Sequence, residues 1–95
     1  MVPNARSLMV MMQIRQAELS WQVIGDEVVI LDLEGSVYLK LNGTGRVLWE
    51  RLAESCTDSE LVEALVDRFG IDEDRAAADV AGFLAELRRR DLLVA

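Results

Sequence analysis

Between Leu19 and Leu41 apolar and polar residues alternate with a period of two, and the alternation breaks twice, each time where a glycine sits beside an acid. Gly25-Asp26 suits a two-residue type II′ turn, because glycine tolerates the positive φ of the first central position, and Glu34-Gly35 reads as a second two-residue turn. The spacing therefore predicts a three-strand antiparallel meander over residues 19–24, 27–33 and 36–41. Directly opposed residues share a face of a sheet. Two-residue turns then set Trp21 opposite Ile30 and Leu39, and Val23 opposite Val28 and Leu41. One face gathers Leu19, Trp21, Val23, Val28, Ile30, Val37, Leu39 and Leu41, with Asp32 its only intruder. The other combines Ser20, Gln22, Glu27, Tyr38 and Lys40 with Ile24, Val29, Leu31 and Leu33, more apolar than a solvated face should be. Such a face calls for a cover over part of it.

From Asn42 the period changes to about 3.6 and three helices are predicted. Asn42 or Thr44 is placed to cap the first, whose stripe is Val47, Leu48, Trp49 and Leu52. The second opens with the capping box Thr57-Asp58-Ser59-Glu60, presents Leu61, Leu65, Val66 and Phe69 to the core, and ends at Gly70. The third starts at Asp72, has Glu73 and Asp74 at the positive end of its dipole and Arg88, Arg89 and Arg90 at the negative end. Its apolar face is Ala76, Val80, Phe83, Leu84 and Leu87. Leu92, Leu93 and Val94 follow as an extended segment or packed tail. The fold class is α+β, winged helix-turn-helix-like, a three-stranded antiparallel meander followed by three helices. The domain spans residues 19–95, preceded by a tail over residues 1–18, disordered or strand-like.

Length and composition narrow what such a fold can do. At 95 residues the chain builds one small core. A net charge of −7 excludes the basic surface on which nucleic-acid affinity depends. The first residues, MVPNARSLMVMMQIRQ, hold an apolar run over residues 8–12 only, so neither a membrane span nor a signal peptide is read there. The single cysteine, Cys56, forms no internal disulfide, and a reducing cytoplasm is the expected location. The chain has no histidine to make that cysteine a nucleophile, and Cys56 reads as a small helix-end residue.

Other features with a chemical reading give way to structural ones. Asn42-Gly43-Thr44-Gly45 lacks the lysine of a phosphate loop, and a tight strand-to-helix turn accounts for it. Acids such as Asp72 and Asp74 belong to a helix start, and the three arginines to a helix end. No catalytic residue, metal site or cofactor is expected. What remains is the third strand, Val37-Tyr38-Leu39-Lys40-Leu41, an edge with one charge and no proline. Either the chain covers this edge itself, or an extended peptide joins it by strand addition. The N-terminal LMVMMQI is a candidate for the same role, one molecule's start occupying another's groove and producing a weak dimer.

The stretch EVVILDLEGSVYLKLNGTGRVLWERL, the helix of residues 57–69 and DEDRAAADVAGFLAELRRRDLL together resemble the PqqD family, also called the RiPP recognition element, over residues 19–94. The marks are Leu41-Asn42 before Thr44-Gly45, the Leu48-Trp49 stripe, and Asp79-Val80 with Phe83-Leu84 before Leu92-Leu93. The resemblance implies a non-enzymatic protein that takes the leader of a ribosomal precursor peptide as an added strand, in a groove closed by the third helix. Carried over, the peptide-binding residues are Val37, Tyr38, Leu39, Lys40 and Leu41 on the edge, and Arg75, Ala76, Asp79, Val80 and Phe83 on the helix. The short acidic form is similar to the recognition protein of split lasso-peptide systems. Its implied partners are the precursor and a separate cysteine protease, then a cyclase, with no nucleic acid or membrane, and a monomer or weak dimer as the assembly. A PQQ-type peptide chaperone for a radical enzyme is the alternative within the family. A winged-helix transcription factor is the alternative outside it.

Overall fold

The computed structural model describes residues 11–33 and 37–94. The chain runs through β1 (Gln13–Ile14), β2 (Leu19–Ile24), β3 (Glu27–Asp32), β4 (Val37–Leu41), α1 (Gly43–Ala53), α2 (Asp58–Phe69), α3 (Glu73–Arg89) and β5 (Leu93–Val94). β2, β3 and β4 form an antiparallel sheet in that order, and β1 pairs with β5 in a second, two-stranded one. The three-strand meander and the three helices are as the periodicity predicts. So is the register, with Trp21 opposite Ile30, Ile30 opposite Leu39, Val23 opposite Val28 and Val28 opposite Leu41. Gly25 takes φ +61, the left-handed value that the first position of a type II′ turn requires. The second turn, Glu34-Gly35, lies outside the described residues.

Helix ends follow their local chemistry. The Thr57 hydroxyl accepts from the Glu60 amide at 3.2 Å while the Glu60 carboxylate accepts from the Thr57 amide at 2.8 Å, the reciprocal box that fixes the start of α2. Gly70 closes that helix at φ +67. Asp72 caps α3 by accepting from the Arg75 amide at 2.7 Å. Asn42 occupies the cap position of α1 but contributes only its carbonyl, which accepts from the Gly45 amide at 3.1 Å.

The core lies between the helices and one face of the larger sheet. Val28, Ile30, Leu48, Trp49, Leu52, Leu61, Leu65, Ala76, Val80, Leu84, Leu87 and Leu92 are buried, and the half-buried Leu19, Trp21, Leu39 and Leu41 pack against them. Trp21 and Trp49 meet edge to face with centroids 6.1 Å apart, joining sheet to α1. Two expected core residues are open. Val23 is 42% exposed although it shares the core face, because it stands next to the turn at the far end of the hairpin. Phe69 is 40% exposed at the last turn of α2, where Ala64 takes the buried place instead.

Residues 11–18 take part in this packing. Gln13 pairs with Val94 and Ile14 with Leu93, and Met12 exchanges backbone bonds with Cys56 at 2.8 and 3.0 Å. Met12 and Ile14 are buried at 4% and 2% exposure, so the packed unit reaches back past Leu19. Asp32, the intruder on the apolar face, is explained by the same segment. Arg15 places its Nη2 2.7 Å from Asp32 Oδ1 and donates from its other guanidinium nitrogens to the carbonyls of Ala17 and Asp91. One guanidinium thereby ties the N-terminal arm, β3 and the end of α3 together.

Candidate functional site

Within the larger sheet, β4 bonds to β3 alone among the described residues. The direction of its backbone groups follows from one hydrogen bond. The Leu33 amide donates to the Glu18 carbonyl at 2.9 Å, which continues the series of pairs Ile24–Glu27, Gln22–Val29 and Ser20–Leu31. Bonded and unbonded pairs alternate along an antiparallel ladder. Val28, Ile30 and Asp32 therefore turn their backbone groups to β4, where their partners are Leu41, Leu39 and Val37. The amides and carbonyls of Tyr38 and Lys40 point the other way, to the open edge.

Side chains alternate oppositely to this. Leu39 and Leu41 are half-buried on the core side, while Tyr38, 60% exposed, and Lys40 stand on the outer face. Lys40 pairs with Glu27 across β3 at 3.6 Å. Val37 begins the strand opposite Asp32.

The expected helix wall divides. Ala76 and Val80 are 0% and 2% exposed and belong to the core. Val80 faces α2, sharing a shallow depression with Met12, Val62, Ala77 and Leu84. In this packing both side chains are already taken up by the chain's own core. Arg75, Asp79 and Phe83 lie on a different row of α3, spaced four residues apart, so they stack along one line of the helix surface. Arg75 and Asp79 are exposed and Phe83 is half-buried.

Gly45 marks where that row meets the strand. A Cβ built on Gly45 would lie 3.5 Å from Leu41 Cβ and 3.7 Å from Phe83 Cε1. The start of α1, the end of β4 and the middle of α3 thus converge on Leu41, Gly45 and Phe83. Gly45 belongs to the seam but not to the expected set of contacts, because its sequence signal was absorbed by the turn.

The remaining chemistry is quiet. Burial, with Glu60 adding and Arg51 opposing, pushes the Cys56 thiol up from 9.0 to about 11, so it stays protonated at neutral pH. Among the described residues no three acids or cysteines gather in a metal-binding group. No helix among them is long and apolar enough to cross a membrane.

A family model described as PqqD, coenzyme PQQ synthesis protein D, matches residues 27–93. The chain belongs to the PqqD family. Two solved structures share this PqqD fold across nearly their whole lengths. TbiB1 in complex with the TbiA(beta) leader peptide has a TM-score of 0.79 and 30% identity, covering 85% of this chain and 93% of that one. Lasso peptide synthetase B1 complexed with the leader peptide has a TM-score of 0.77 and 20% identity, covering 88% and 98%. The second likeness speaks for the PqqD fold alone. No curated protein matches the chain.

Proposed function

We propose that this PqqD-family protein binds the leader of a ribosomally made precursor peptide as a strand added to β4, and presents the precursor to separate processing enzymes. The observation that carries this reading is the open edge, with the backbone groups of Tyr38 and Lys40 turned outward and, among the described residues, paired to no further strand. It is supported by a 30% identical relative solved in complex with a leader peptide.

An added strand exchanges amide and carbonyl bonds with Tyr38 and Lys40, each net bond contributing about 1 kcal/mol. Its side chains alternate between the two faces of the sheet. Those turned inward meet Leu39, Leu41 and the Phe83 ring, while Asp79 accepts from a basic or hydrogen-bonding leader residue and Arg75, one turn earlier, attracts an acidic one. Ala76 and Val80 support this wall from behind.

In this reading the protein is a non-catalytic adaptor of the cytoplasm, working as a monomer. Proteolysis by a separate cysteine protease and ring closure by a cyclase complete a lasso-type sequence. The family model's own description, coenzyme PQQ synthesis protein D, favours a second reading in quinone-cofactor synthesis, in which the protein would be a peptide chaperone for a radical enzyme. The identity of the enzyme that turns over the loaded precursor separates the two.

The test is a fluorescence-anisotropy titration with the labelled leader of a candidate precursor sought among the genes that neighbour this one. Proline at Tyr38 or Lys40 removes an outward amide and is expected to cost at least tenfold in affinity with the circular dichroism spectrum retained. Proline at Leu39 breaks the bond to Ile30 instead and is expected to damage the sheet itself. Full affinity in folded Tyr38→Pro and Lys40→Pro variants would remove strand addition.

A further inference from the structure

The outer face of the larger sheet, the one turned away from the helices, is more apolar than its position allows. Antiparallel sheets with one solvated face normally carry polar residues there. Here Leu31 and Leu33, 44% and 58% exposed, follow the half-buried Val29 along the central strand. Tyr38, 60% exposed, stands directly opposite Leu31. Among the described residues no element covers this patch. Ile24 is also exposed on this face, but the Gln22, Val29 and Lys40 row separates it from Leu31.

We infer that Leu31, Leu33 and Tyr38 form the docking surface for the processing enzyme, and that the enzyme reads this surface only when a leader occupies the edge. The inference rests on the strand-addition reading above. Tyr38 supplies the link, since its backbone faces the open edge while its side chain lies on the patch. A leader residue opposite Tyr38 must share its face, so alternate side chains of the bound leader extend the patch beyond β4.

Size and charge select this occupant over a second copy of the chain. The three exposed side chains offer a few hundred Å², the range of an ordinary surface patch, whereas a stable complex needs about 800 Å² from each partner. The bound leader supplies part of the difference. Two copies, each carrying −7, would repel one another, while an enzyme with an apolar centre and a lysine- and arginine-rich rim is attracted. The leader then acts as both cargo and part of the docking surface.

The experiment uses the full chain, the labelled leader and full precursor of the titration above, and a candidate cysteine protease sought among the same neighbouring genes. Leu31→Thr and Leu33→Thr introduce β-branched residues, which favour strand, while removing the apolar surface outside the leader-binding edge. Each is expected to keep leader affinity within about twofold and to lower precursor cleavage at sub-saturating loaded complex at least tenfold, recovering as the complex is raised. Ile24→Thr, on the same face but off the patch, is expected to change neither. Unchanged cleavage in the folded Leu31→Thr, Leu33→Thr double variant would overturn the docking surface while leaving leader binding intact. An equal loss of leader affinity and cleavage would overturn it by making the residues part of the edge site. Equal protease affinity for the empty and loaded wild-type protein would overturn the reading of the loaded state. A wild-type dimer dissolved by the double variant in light scattering would assign the patch to a second copy. Absence of leader binding by the wild type would instead remove the strand-addition reading, and this inference with it.

Discussion

Arg15 and Asp32 carry a large share of the fold's specificity for two residues. Their side chains are 14% and 7% exposed, and the guanidinium also serves two carbonyls. Removing one member strands the other in a poorly hydrated site, so Asp32→Ala is expected to cost about 3 kcal/mol or more, read from urea unfolding. The paired replacement Arg15→Met with Asp32→Leu is expected to recover only the part of that loss due to the uncompensated charge, because the guanidinium's bonds to the Ala17 and Asp91 carbonyls go with it. Cys56 makes a prediction of the opposite kind, visible only in alkali. Its folded pKa is about 11 against an ordinary 9.0, so the unfolded chain releases the proton first. The corresponding stability is fully present below about pH 9 and is lost as pH rises toward 11. Urea midpoints of the wild type are expected to fall more steeply across that window than those of Cys56→Ala.

Among the elements, α3 ends in a motif that lacks its usual residue. The Leu92 amide donates to the Leu87 carbonyl at 2.9 Å and the Asp91 amide to the Arg88 carbonyl at 3.0 Å, with Leu87 and Leu92 both buried. This is the Schellman pattern, which favours glycine at the left-handed position, and Asp91 sits there at φ +60. Asp91→Gly is expected to stabilise the protein by about 0.5–1 kcal/mol, seen as a rise of a few degrees in Tm. Phe83 belongs to the same helix but to the row that meets the end of β4 near Gly45. Phe83→Ala is expected to weaken leader binding by about 2 kcal/mol or more in an anisotropy titration. A larger loss in folding stability than in binding would make the ring a core residue like Val80.

The whole molecule is closed by its two ends. β1 pairs with β5, Met12 bridges to Cys56, and Arg15 reaches both β3 and the last turn before β5. A start that occupies a neighbour's groove is therefore not available to residues 12–14, which are committed within their own chain, while residues 8–10 lie outside the described set. Deleting residues 1–14 removes two buried side chains and is expected to cost about 4 kcal/mol or more, or to abolish cooperative unfolding.

Local pattern was enough for the meander, its register and the caps of α2 and α3, because a period of two joined by a two-residue turn leaves one pairing, and a capping side chain acts within four residues. It also exposed Asp32 as an anomaly on an apolar face. Its partner was hidden, since an arginine in a segment without turn signals carries no mark of the carboxylate it will meet. The pairing of Gln13 with Val94 has no local signature at all, as it depends on where three packed helices bring the ends of the chain. The same holds for α3, whose apolar stripe is legible as one face. How that face is shared, with Ala76 and Val80 turned to the core and α2 and Phe83 to β4, depends on the angle at which the helix lies between two neighbours, and packing alone sets that angle.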